Sequence, residues 1–456
     1  MARDVTDTTP VESCRDLVEW MAEGCKPPSA WRVGTEHEKI PFRVGSLAPV
    51  PYEGPGGIEA ILRGMQGLLG WSPIEDGGRI IGLADVTGGG AISLEPGGQF
   101  ELSGAPLADV HGTRAETLAH LAQVRELAAP MGVDFLSLGM SPLWAREATP
   151  VMPKRRYDIM RGYMPKVGTR GLDMMFRTAT VQANLDFASE ADMVRKLRVS
   201  VALQPVATAL FANSPFADGR PNGMLSMRSE IWRHVDAART GMMPWAFEDG
   251  MGFERYVDFA LDAPMYFVKR GETYHDVSGA SFRDLLAGRL AALPGERATT
   301  ADWANHLSTL FPEVRLKRYL EMRGADCGDL DMICALPALF VGLLYDSAAL
   351  DEAAALVEGW TAAGRAALRD DVPRLALDAR ISGRSVREVA RDAIAIAARG
   401  LARRARTDAA GRDERVHLAP LDEIAAAGET RAQRWLKRYD GAWGRDVRGA
   451  FVDCVY

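Results

Sequence analysis

The spacing of apolar residues along the chain alternates between a helical period and a strand period. Apolar positions three and four apart, the helical period, predict helices over residues 16–24, 115–128, 189–212, 350–371 and 385–406. Ser189 stands before the acidic residue Glu190 and is the predicted N-cap of the third of these helices. The C-terminal third of the chain is therefore predicted to be mostly alanine-rich helix that covers a core.

Four other segments alternate apolar and polar residues with a period of two, as half-buried strands do. They are WRVGTEHEKIPF (31–42), GGQFELSG (97–104), RTATVQANLDF (177–187) and VRLKRYLEMR (314–323). One face of an antiparallel sheet often meets solvent, but such faces are rich in Lys, Thr and Ser. The polar faces of these segments carry Glu, Gln, Asn and Arg instead. The pattern therefore predicts that the polar face of the sheet forms a functional site.

The first of these strands places two glutamates side by side. Glu36 and Glu38 lie on one face, because side chains two apart in a strand point the same way. At about 4 Å and an effective dielectric constant near 20, two like charges repel by roughly 4 kcal/mol. Protons, arginines or metal ions must offset a repulsion of that size.

The polar faces and the turns beside them supply oxygen ligands of the kind that hard cations prefer. The candidate ligands are the carboxylates of Glu36, Glu38, Glu95, Glu101 and Glu321 and the neutral side chains of Gln99 and Asn184. Mg²⁺ and Mn²⁺ take such oxygen ligands and usually bring phosphates with them. Arg156, Arg228 and Arg323 are then candidates to hold a substrate carboxylate and to neutralise a transferred phosphoryl group.

Two more familiar motifs are incomplete. The HE of GTEHE needs a second histidine at position 41 to form a helical HExxH zinc site, and that residue is Pro41. The glycine-rich DVTGGGAISLEPGG lacks the GK[ST] of a phosphate-binding loop, so it predicts hairpin turns in a meander of strands. Neither metalloprotease chemistry nor a P-loop is therefore predicted.

Composition narrows the class of protein further. The 456 residues are 47% hydrophobic and 25% charged, as in globular proteins, and no repeat or linker divides them, which predicts one domain over 1–456. The net charge of -7 argues against nucleic acid or an anionic membrane as a partner. Five cysteines without CxxC spacing predict neither disulfides nor a zinc site. The N-terminal stretch has no apolar signal-peptide core and no run approaches 18 apolar residues, so we expect a cytoplasmic protein.

Seven segments in order resemble the plant and alphaproteobacterial type of glutamate-cysteine ligase. They are WRVGTEHEKIPF, ISLEPGGQFELSGAP, MPKRRYDIM, TATVQANLDFASE, LRVSVALQPVATALFANSPFADGRPNGMLSMRSEIW, DAPMYFV and FPEVRLKRYLEMRGAD. The resemblance extends from about residue 15 to the last residue of the chain. It implies the α+β fold of the glutamine synthetase and carboxylate-amine ligase superfamily, in which a curved, mainly antiparallel sheet backed by helices forms a funnel-shaped site.

The resemblance also implies a reaction. ATP phosphorylates the γ-carboxylate of L-glutamate, the amino group of L-cysteine attacks the γ-glutamyl phosphate, and ADP and phosphate leave, which is the first step of glutathione synthesis. The implied cofactors are ATP and two or three Mg²⁺ ions, with Mn²⁺ as a substitute, and a monomer or weak homodimer is expected. Two alternatives stay open: a ligase of the same mechanism with another amine acceptor, and a non-catalytic regulator that binds a nucleotide or an amino acid.

The matching positions carry implied roles to individual residues of this chain. The implied metal ligands are Glu36, Glu38, Glu95, Glu101 and Glu321. Arg323, Arg228 and Glu38 are the implied catalytic residues, and Arg156 joins Arg228 in binding glutamate. The residues expected near ATP or its ions are Gln99, Asn184, Lys166 and Lys317, and those expected at the cysteine pocket are Tyr157, Tyr266 and Trp144.

One feature of the plant members does not carry over. They have paired cysteines that act as a redox switch, and three of those four positions are Arg114, Val277 and Ala292 here, which leaves only Cys334. The resemblance therefore does not imply thiol control of this chain.

Overall fold

The computed structural model describes residues 6–456, and residues 1–5 of the N-terminal stretch discussed above lie outside the described residues. Its strands are β1 (Val33–Arg43), β2 (Ser72–Asp76), β3 (Arg79–Ala84), β4 (Ala91–Leu94), β5 (Phe100–Ser103), β6 (Val133–Leu136), β7 (Thr180–Leu185), β8 (Phe216–Ala217), β9 (Arg220–Pro221), β10 (Thr240–Gly241), β11 (Phe267–Arg270), β12 (Thr273–Asp276), β13 (Phe311–Pro312), β14 (Val314–Leu316), β15 (Leu320–Asp326), β16 (Arg380–Ile381) and β17 (Arg384–Ser385).

The α-helices of the same range precede, separate and follow these strands. They are α1 (Cys14–Ala22), α2 (Ile58–Leu69), α3 (Val110–Ala128), α4 (Arg155–Val167), α5 (Gly171–Arg177), α6 (Glu190–Leu210), α7 (Met227–Trp232), α8 (Phe253–Asp262), α9 (Phe282–Leu286), α10 (Thr300–Leu307), α11 (Leu330–Leu344), α12 (Ser347–Val357), α13 (Ala362–Leu375), α14 (Val386–Arg404), α15 (Ala419–Ala427), α16 (Arg431–Asp440) and α17 (Ala450–Asp453).

The central sheet is antiparallel and joins strands that are far apart in the sequence. Its order is β14-β15-β7-β1-β5-β4-β3-β2, and β6 pairs with the end of β1. β1 therefore lies between β7 and β5, which places Glu38 directly opposite Glu101. Glu321 of β15 lies opposite Asn184 of β7. The predicted polar segments thus become neighbours on one sheet.

Helices cover the apolar face of this sheet. Val181, Ala183 and Leu185 of β7 are buried in the same core as residues of α6, α11 and α14. α11 is apolar on nearly every side, as expected of a helix surrounded by other elements. Because side chains alternate along a strand, burial of these three residues turns Thr180, Gln182 and Asn184 toward the other face.

Two predicted elements are divided in the structure. The segment 314–323, predicted as one strand, is a hairpin in which Arg315 of β14 lies opposite Glu321 of β15. The connection consists of Lys317, Arg318 and Tyr319. Because these residues continue the polar alternation, the pattern gave no sign that the chain reverses direction there. The helix predicted over 350–371 is two helices, α12 and α13, because the chain turns between them at Gly359, where φ is +76°.

Three further predictions of secondary structure and the predicted fold class are confirmed. The segment 31–42 forms most of β1, the helix predicted over 189–212 is α6, and the glycine-rich segment forms turns of the meander β3-β4-β5. A large antiparallel sheet backed by helices is the predicted α+β class.

No single helix within residues 6–456 has the length and apolar character to cross a bilayer. α11 and α12 pass this criterion only when taken together, and they are bent by 94° at the break between them.

Candidate active site

A cavity of about 90 Å³ lies against the polar face of the central sheet. Residues with predicted roles that line it are Glu36, Glu38, Glu95, Gln99, Glu101, Arg156, Tyr157, Arg228 and Arg323. β1, β5 and the β4–β5 turn supply the carboxylates, whereas α4, α7, β14 and β15 supply the arginines. The fold therefore gathers acidic and basic groups from separate strands, helices and a turn around one small space.

The β4–β5 turn owes its shape to two glycines. Gly98 has a φ of +88°, a conformation that side chains other than glycine rarely adopt. A Cβ atom on Gly97 would lie 2.3 Å from the backbone oxygen of Phe176, so only glycine fits there. The turn closes with a hydrogen bond from the backbone N–H of Glu95 to the backbone oxygen of Gln99, and this brings the Glu95 side chain to the cavity.

Glu38 has a carboxyl group whose environment favours the protonated form. Burial, followed by the neighbouring carboxylates of Glu95 and Glu101, raises the pKa of Glu38 well above its ordinary value. One contact favours the charged form: the backbone N–H of Thr180 donates a hydrogen bond to Glu38 Oε2 at 3.0 Å. A positive ion bound here would offset both the burial and the repulsion.

Glu36 lies in a similar environment. Burial, followed by the charges of Glu321 and Glu101, raises the pKa of Glu36. Asn184 Nδ2 donates a hydrogen bond to Glu36 Oε1 at 2.8 Å. Asn184 does not line the cavity itself but donates to a carboxylate that does, and its predicted support of the ions or phosphates stays a prediction.

Glu321 differs from these two glutamates in its surroundings. Glu321 is wholly buried and does not line the cavity. Its carboxylate forms ion pairs with Arg315 at 2.7 Å, with Lys317 at 2.9 Å and, at closer range, with Arg323. Burial alone would raise the pKa of Glu321, but these three cations hold it well below its ordinary value. Glu321 and Lys317 thus pair with each other within the chain, and the metal role of Glu321 and the ATP role of Lys317 stay predictions.

The arginines of the cavity are held in place by the chain itself. Arg323 donates hydrogen bonds to Glu321 and to Gln182 Oε1. Arg228 Nη2 donates to the backbone oxygen of Arg323 at 2.8 Å. Burial lowers the pKa of Arg228, but a guanidinium group stays protonated in proteins, so two fixed positive charges face the carboxylates.

Gln99 and Tyr157 line the cavity but are bonded to the backbone. Gln99 Nε2 donates to the backbone oxygen of Thr178 at 2.8 Å, and Gln99 Oε1 accepts from the N–H of Gly97 at 2.9 Å. Both ends of the amide are therefore used in shaping the turn. Tyr157 Oη donates to the backbone oxygen of Leu94 at 2.7 Å and lies 3.4 Å from Glu95 Oε1.

Three residues with predicted roles do not line this cavity, and their roles stay predictions. Trp144 donates its indole N–H to the backbone oxygen of Leu47 at 2.7 Å and packs in a separate apolar cluster. Tyr266 is buried with the Arg239 guanidinium 4.0 Å from its ring centroid. Lys166 is exposed near the end of α4. Their residue types gave no information about which wall of the fold they would join.

The sequence reasoning assigned no role to several residues of the cavity wall. These are Pro96, Lys154, Met160, Met174, Met175, Thr178, Thr180, Gln182, Trp232, Ser308, Phe311 and Arg315. The period of two along β7 did place Thr180 and Gln182 on the polar face. Trp232 and Phe311 gave no such signal, because aromatic residues at apolar positions cannot be told from core residues by pattern.

The oxygen donors suit a hard cation although they form no complete cage. In the part of the chain that the structure describes, no group of three or more His, Cys, Asp or Glu side chains could hold a metal ion by itself. Mg²⁺ usually takes one or two carboxylates and completes its shell with waters and phosphates. Glu38 and Glu101, directly opposed on neighbouring strands, meet that smaller requirement. The residues therefore fit Mg²⁺ that is bound together with phosphate.

Known proteins similar to this chain agree on its class. The family model described as glutamate-cysteine ligase family 2 matches residues 32–452. The chloroplastic glutamate-cysteine ligases of Arabidopsis thaliana and Nicotiana tabacum are each 52% identical over 441 residues, which cover 97% of this chain and 82% of each relative. A solved glutamate-cysteine ligase from Francisella tularensis, in complex with AMP, covers 90% of this chain and 85% of its own with a TM-score of 0.54. Its identity of 11% makes that likeness one of fold alone.

The antiparallel sheet, the cavity on its polar face and these relatives define an enzyme of the ligase class. The chain belongs to glutamate-cysteine ligase family 2.

The expectation of a cytoplasmic protein is wrong by these comparisons. The relatives from Arabidopsis thaliana, Nicotiana tabacum and Medicago truncatula are all named as chloroplastic enzymes. The reasoning failed because the lack of an apolar signal core bears on secretion and membrane insertion only. Plastid transit peptides are amphipathic and rich in Arg and Ser. The lack of an apolar run therefore does not distinguish a cytoplasmic protein from a chloroplastic one.

Proposed function

We propose that this chain joins the γ-carboxyl group of L-glutamate to the amino group of L-cysteine with cleavage of ATP to ADP and phosphate. This is the first step of glutathione synthesis. Membership of the family supports the proposal, and the observation that carries it is the cavity in which four glutamates face four arginines.

The reaction needs activation because a carboxylate is a poor electrophile. A γ-carboxylate oxygen of glutamate attacks the γ-phosphorus of ATP, and the bond from that phosphorus to the oxygen of ADP breaks. The amino nitrogen of cysteine then attacks the γ-carbon, the carbon–oxygen bond to phosphate breaks, and the nitrogen loses a proton. Each step builds negative charge on oxygen atoms in a small buried space, so fixed positive groups are the main requirement.

Arg228 and Arg323 meet this requirement in our proposal. The hydrogen bond from Arg228 Nη2 to the backbone oxygen of Arg323 fixes the first guanidinium group before substrate binds, and the contacts of Arg323 with Glu321 and Gln182 fix the second. Donors that are already oriented need no reorganisation when charge develops, which is the source of their catalytic effect. Arg156, on the facing helix α4, is proposed to bind the α-carboxylate of glutamate.

Mg²⁺ is the proposed metal, as two or three ions with Mn²⁺ as a substitute, and when bound it supplies positive charge between the phosphates and the carboxylates. Glu36, Glu38, Glu95 and Glu101 are the residues that would hold it. Burial and neighbouring carboxylates raise the pKa of Glu36 and of Glu38, and a bound cation would lower both pKa values.

The cysteine side chain is proposed to lie against the methionines of the cavity. Met160, Met174 and Met175 give a small apolar wall beside Tyr157. Methionine adapts its shape to small irregular ligands. We also propose that residues 1–456 act as one catalytic domain, as a monomer or weak homodimer, with small-molecule substrates and without nucleic acid or membrane partners.

The decisive experiment is an assay of ADP release with each substrate omitted in turn. We expect ADP only when L-glutamate, L-cysteine, ATP and Mg²⁺ are all present, with one γ-glutamylcysteine formed per ADP as measured by mass spectrometry. Equal turnover with unrelated amines would favour a ligase with another acceptor. No ADP from the folded protein, with nucleotide still bound, would favour a non-catalytic regulator instead.

A further inference from the structure

Two more cavities continue from the site cavity toward the surface. The first is narrow, about 10 Å³, and the second is about 340 Å³. Trp232 of α7 lines the site cavity and both of these spaces. Arg228 and Arg323 line the site cavity and the narrow one, and Arg369 of α13 lines the narrow and the outer one. The three spaces therefore form one line behind the arginines of the site.

Two buried donors along this line lack a hydrogen-bond partner within residues 6–456. They are Trp232 Nε1 and Arg369 Nη1. Arg369 is only 7% exposed, and its other nitrogens are engaged: Nε donates to Glu313 Oε1 at 2.5 Å and Nη2 to the backbone oxygen of Ser229 at 3.1 Å. A buried donor left without an acceptor is costly, so these groups indicate a ligand or water that accepts hydrogen bonds.

The charges along the line favour an anion. The arginines that line the narrow and the outer cavity are Arg228, Arg233, Arg323, Arg365 and Arg369. The carboxylates that line these two cavities are Glu313 and Asp370, and each is already paired with an arginine: Glu313 with Arg369 at 2.5 Å and Asp370 with Arg233 at 2.8 Å. The remaining positive charge suits a small oxyanion.

We propose that these spaces form an exit route for inorganic phosphate, in which Trp232 Nε1 and Arg369 Nη1 bind the ion in passing. The inference rests on the proposed function, which generates phosphate beside Arg228 and Arg323. The narrow cavity has room for about one water molecule, so phosphate passes only when Trp232 and Phe311, whose ring centroids are 5.7 Å apart, separate. Phosphate then leaves on the side of α13, away from the carboxylates of β1 and β5.

Two conservative substitutions test the binding step. Trp232→Phe removes the indole N–H and keeps an aromatic ring, and Arg369→Lys keeps the charge and removes the free guanidinium nitrogen. Trp303→Phe is the matched control for the first, because Trp303 Nε1 is also buried and unpartnered among the described residues but lines none of these spaces. Arg404→Lys is the control for the second, because Arg404 is a half-buried arginine paired with Glu414 at 3.1 Å elsewhere.

The first readout is the affinity of inorganic phosphate for the full chain with ADP bound, measured by calorimetry. Loss of one hydrogen bond to an anion predicts about tenfold weaker binding in Trp232→Phe and in Arg369→Lys. The two controls are expected to bind phosphate as the unchanged protein does. Unchanged affinity in both test variants, with thermal unfolding like that of the unchanged protein, would overturn the proposal.

The second readout tests the route. Ala366→Trp places a large side chain in the outer cavity, which Ala366 lines. In a single turnover we expect γ-glutamylcysteine to form at the normal rate, measured by acid quench, while phosphate appears several-fold later in a fluorescent phosphate sensor. Simultaneous appearance of both products in this variant contradicts an exit on this side. If the unchanged protein forms no γ-glutamylcysteine, the proposed function is refuted. The phosphate titration needs no turnover and therefore tests the binding step independently.

Discussion

Two glutamates near the cavity have opposite electrostatic environments, although both were predicted as metal ligands. Glu321 is surrounded by Arg315, Lys317 and Arg323, which hold its pKa low. Glu38 is buried beside other carboxylates, which hold its pKa high. The same substitution to glutamine therefore has different consequences at the two positions.

Glu321→Gln is expected to destabilise the protein by about 3–5 kcal/mol, the usual cost of removing one partner from a buried ion pair. The reason is that Arg315, Lys317 and Arg323 lose the carboxylate with which all three form ion pairs. The free energy of unfolding from urea denaturation measures the effect. Activity is expected to fall as well, because Arg323 loses its fixed position.

Glu38→Gln is the matched control. The raised pKa of Glu38 means that the ligand-free fold already favours an uncharged side chain, so the free energy of unfolding should stay equal or rise. Turnover should be lost. Equal destabilisation by both substitutions would contradict the opposite charge environments.

Lys39 lies on the other face of β1, wholly buried, with Nζ 3.3 Å from His37 Nδ1. Burial lowers the pKa of Lys39 to about 7, against about 10.4 in an unfolded chain. Between these values the unfolded chain binds the extra proton, so stability rises with pH, by about 1.4 kcal/mol per unit for one proton. We expect this rise between pH 7 and 9 in the unchanged protein and its loss in Lys39→Met, measured by urea denaturation.

The control for that experiment is Lys437→Met, since the Lys437 side chain is 76% exposed. Its stability should follow the same pH dependence as the unchanged protein. Parallel curves for Lys39→Met and the unchanged protein would refute the low pKa of Lys39.

At the scale of elements, sequence reasoning succeeded where a local period decides the outcome. The period of two in β1 determined both the strand and the shared face of Glu36 and Glu38, because nothing beyond the strand is needed to place them. The period also concealed the β14–β15 reversal, since polar residues continue through the turn. Trp232 reaches the site cavity, and Arg369 the narrow cavity beside it, only through packing of α7 and α13, which no local pattern encodes.

The contact of α11 with α14 depends on two glycines. A Cβ atom on Gly400 of α14 would lie 1.9 Å from the backbone oxygen of Gly342 of α11. Gly400→Ala is therefore expected to push the helices apart and to cost about 1–3 kcal/mol or more in the free energy of unfolding. The control is Gly67→Ala in α2, where the added methyl group meets nothing within 4 Å.

Gly67→Ala should instead stabilise by about 0.5–1 kcal/mol, because alanine loses less backbone entropy in a helix. Urea denaturation of both variants measures the two effects. Similar shifts in the same direction would mean that the close approach of α11 and α14 is not a constraint on the fold.

In the whole molecule, the apolar face of the central sheet packs in the core and the polar face lines the cavity. α6, α11 and α14 bury the apolar face of β7, and this core holds the polar face of the sheet around a cavity of about 90 Å³. Carboxylates and arginines then face each other across that cavity without ligand. Such an arrangement binds a cation and an anion together more favourably than either alone. The cation offsets the carboxylates that repel the anion, and the anion offsets the arginines that repel the cation.

Free Mg²⁺ is therefore expected to stabilise the protein little, whereas Mg²⁺ with a non-hydrolysable ATP analogue should stabilise it strongly. No three acidic, histidine or cysteine side chains within residues 6–456 form a site for a bare ion, and phosphate oxygens would complete the shell. At a hundred times the dissociation constant, binding adds about 2.7 kcal/mol to the free energy of unfolding. Thermal unfolding with Mg²⁺ alone, nucleotide with EDTA, and both together measures the difference. An equal shift with Mg²⁺ alone would mean that the carboxylates form an ion site without the nucleotide.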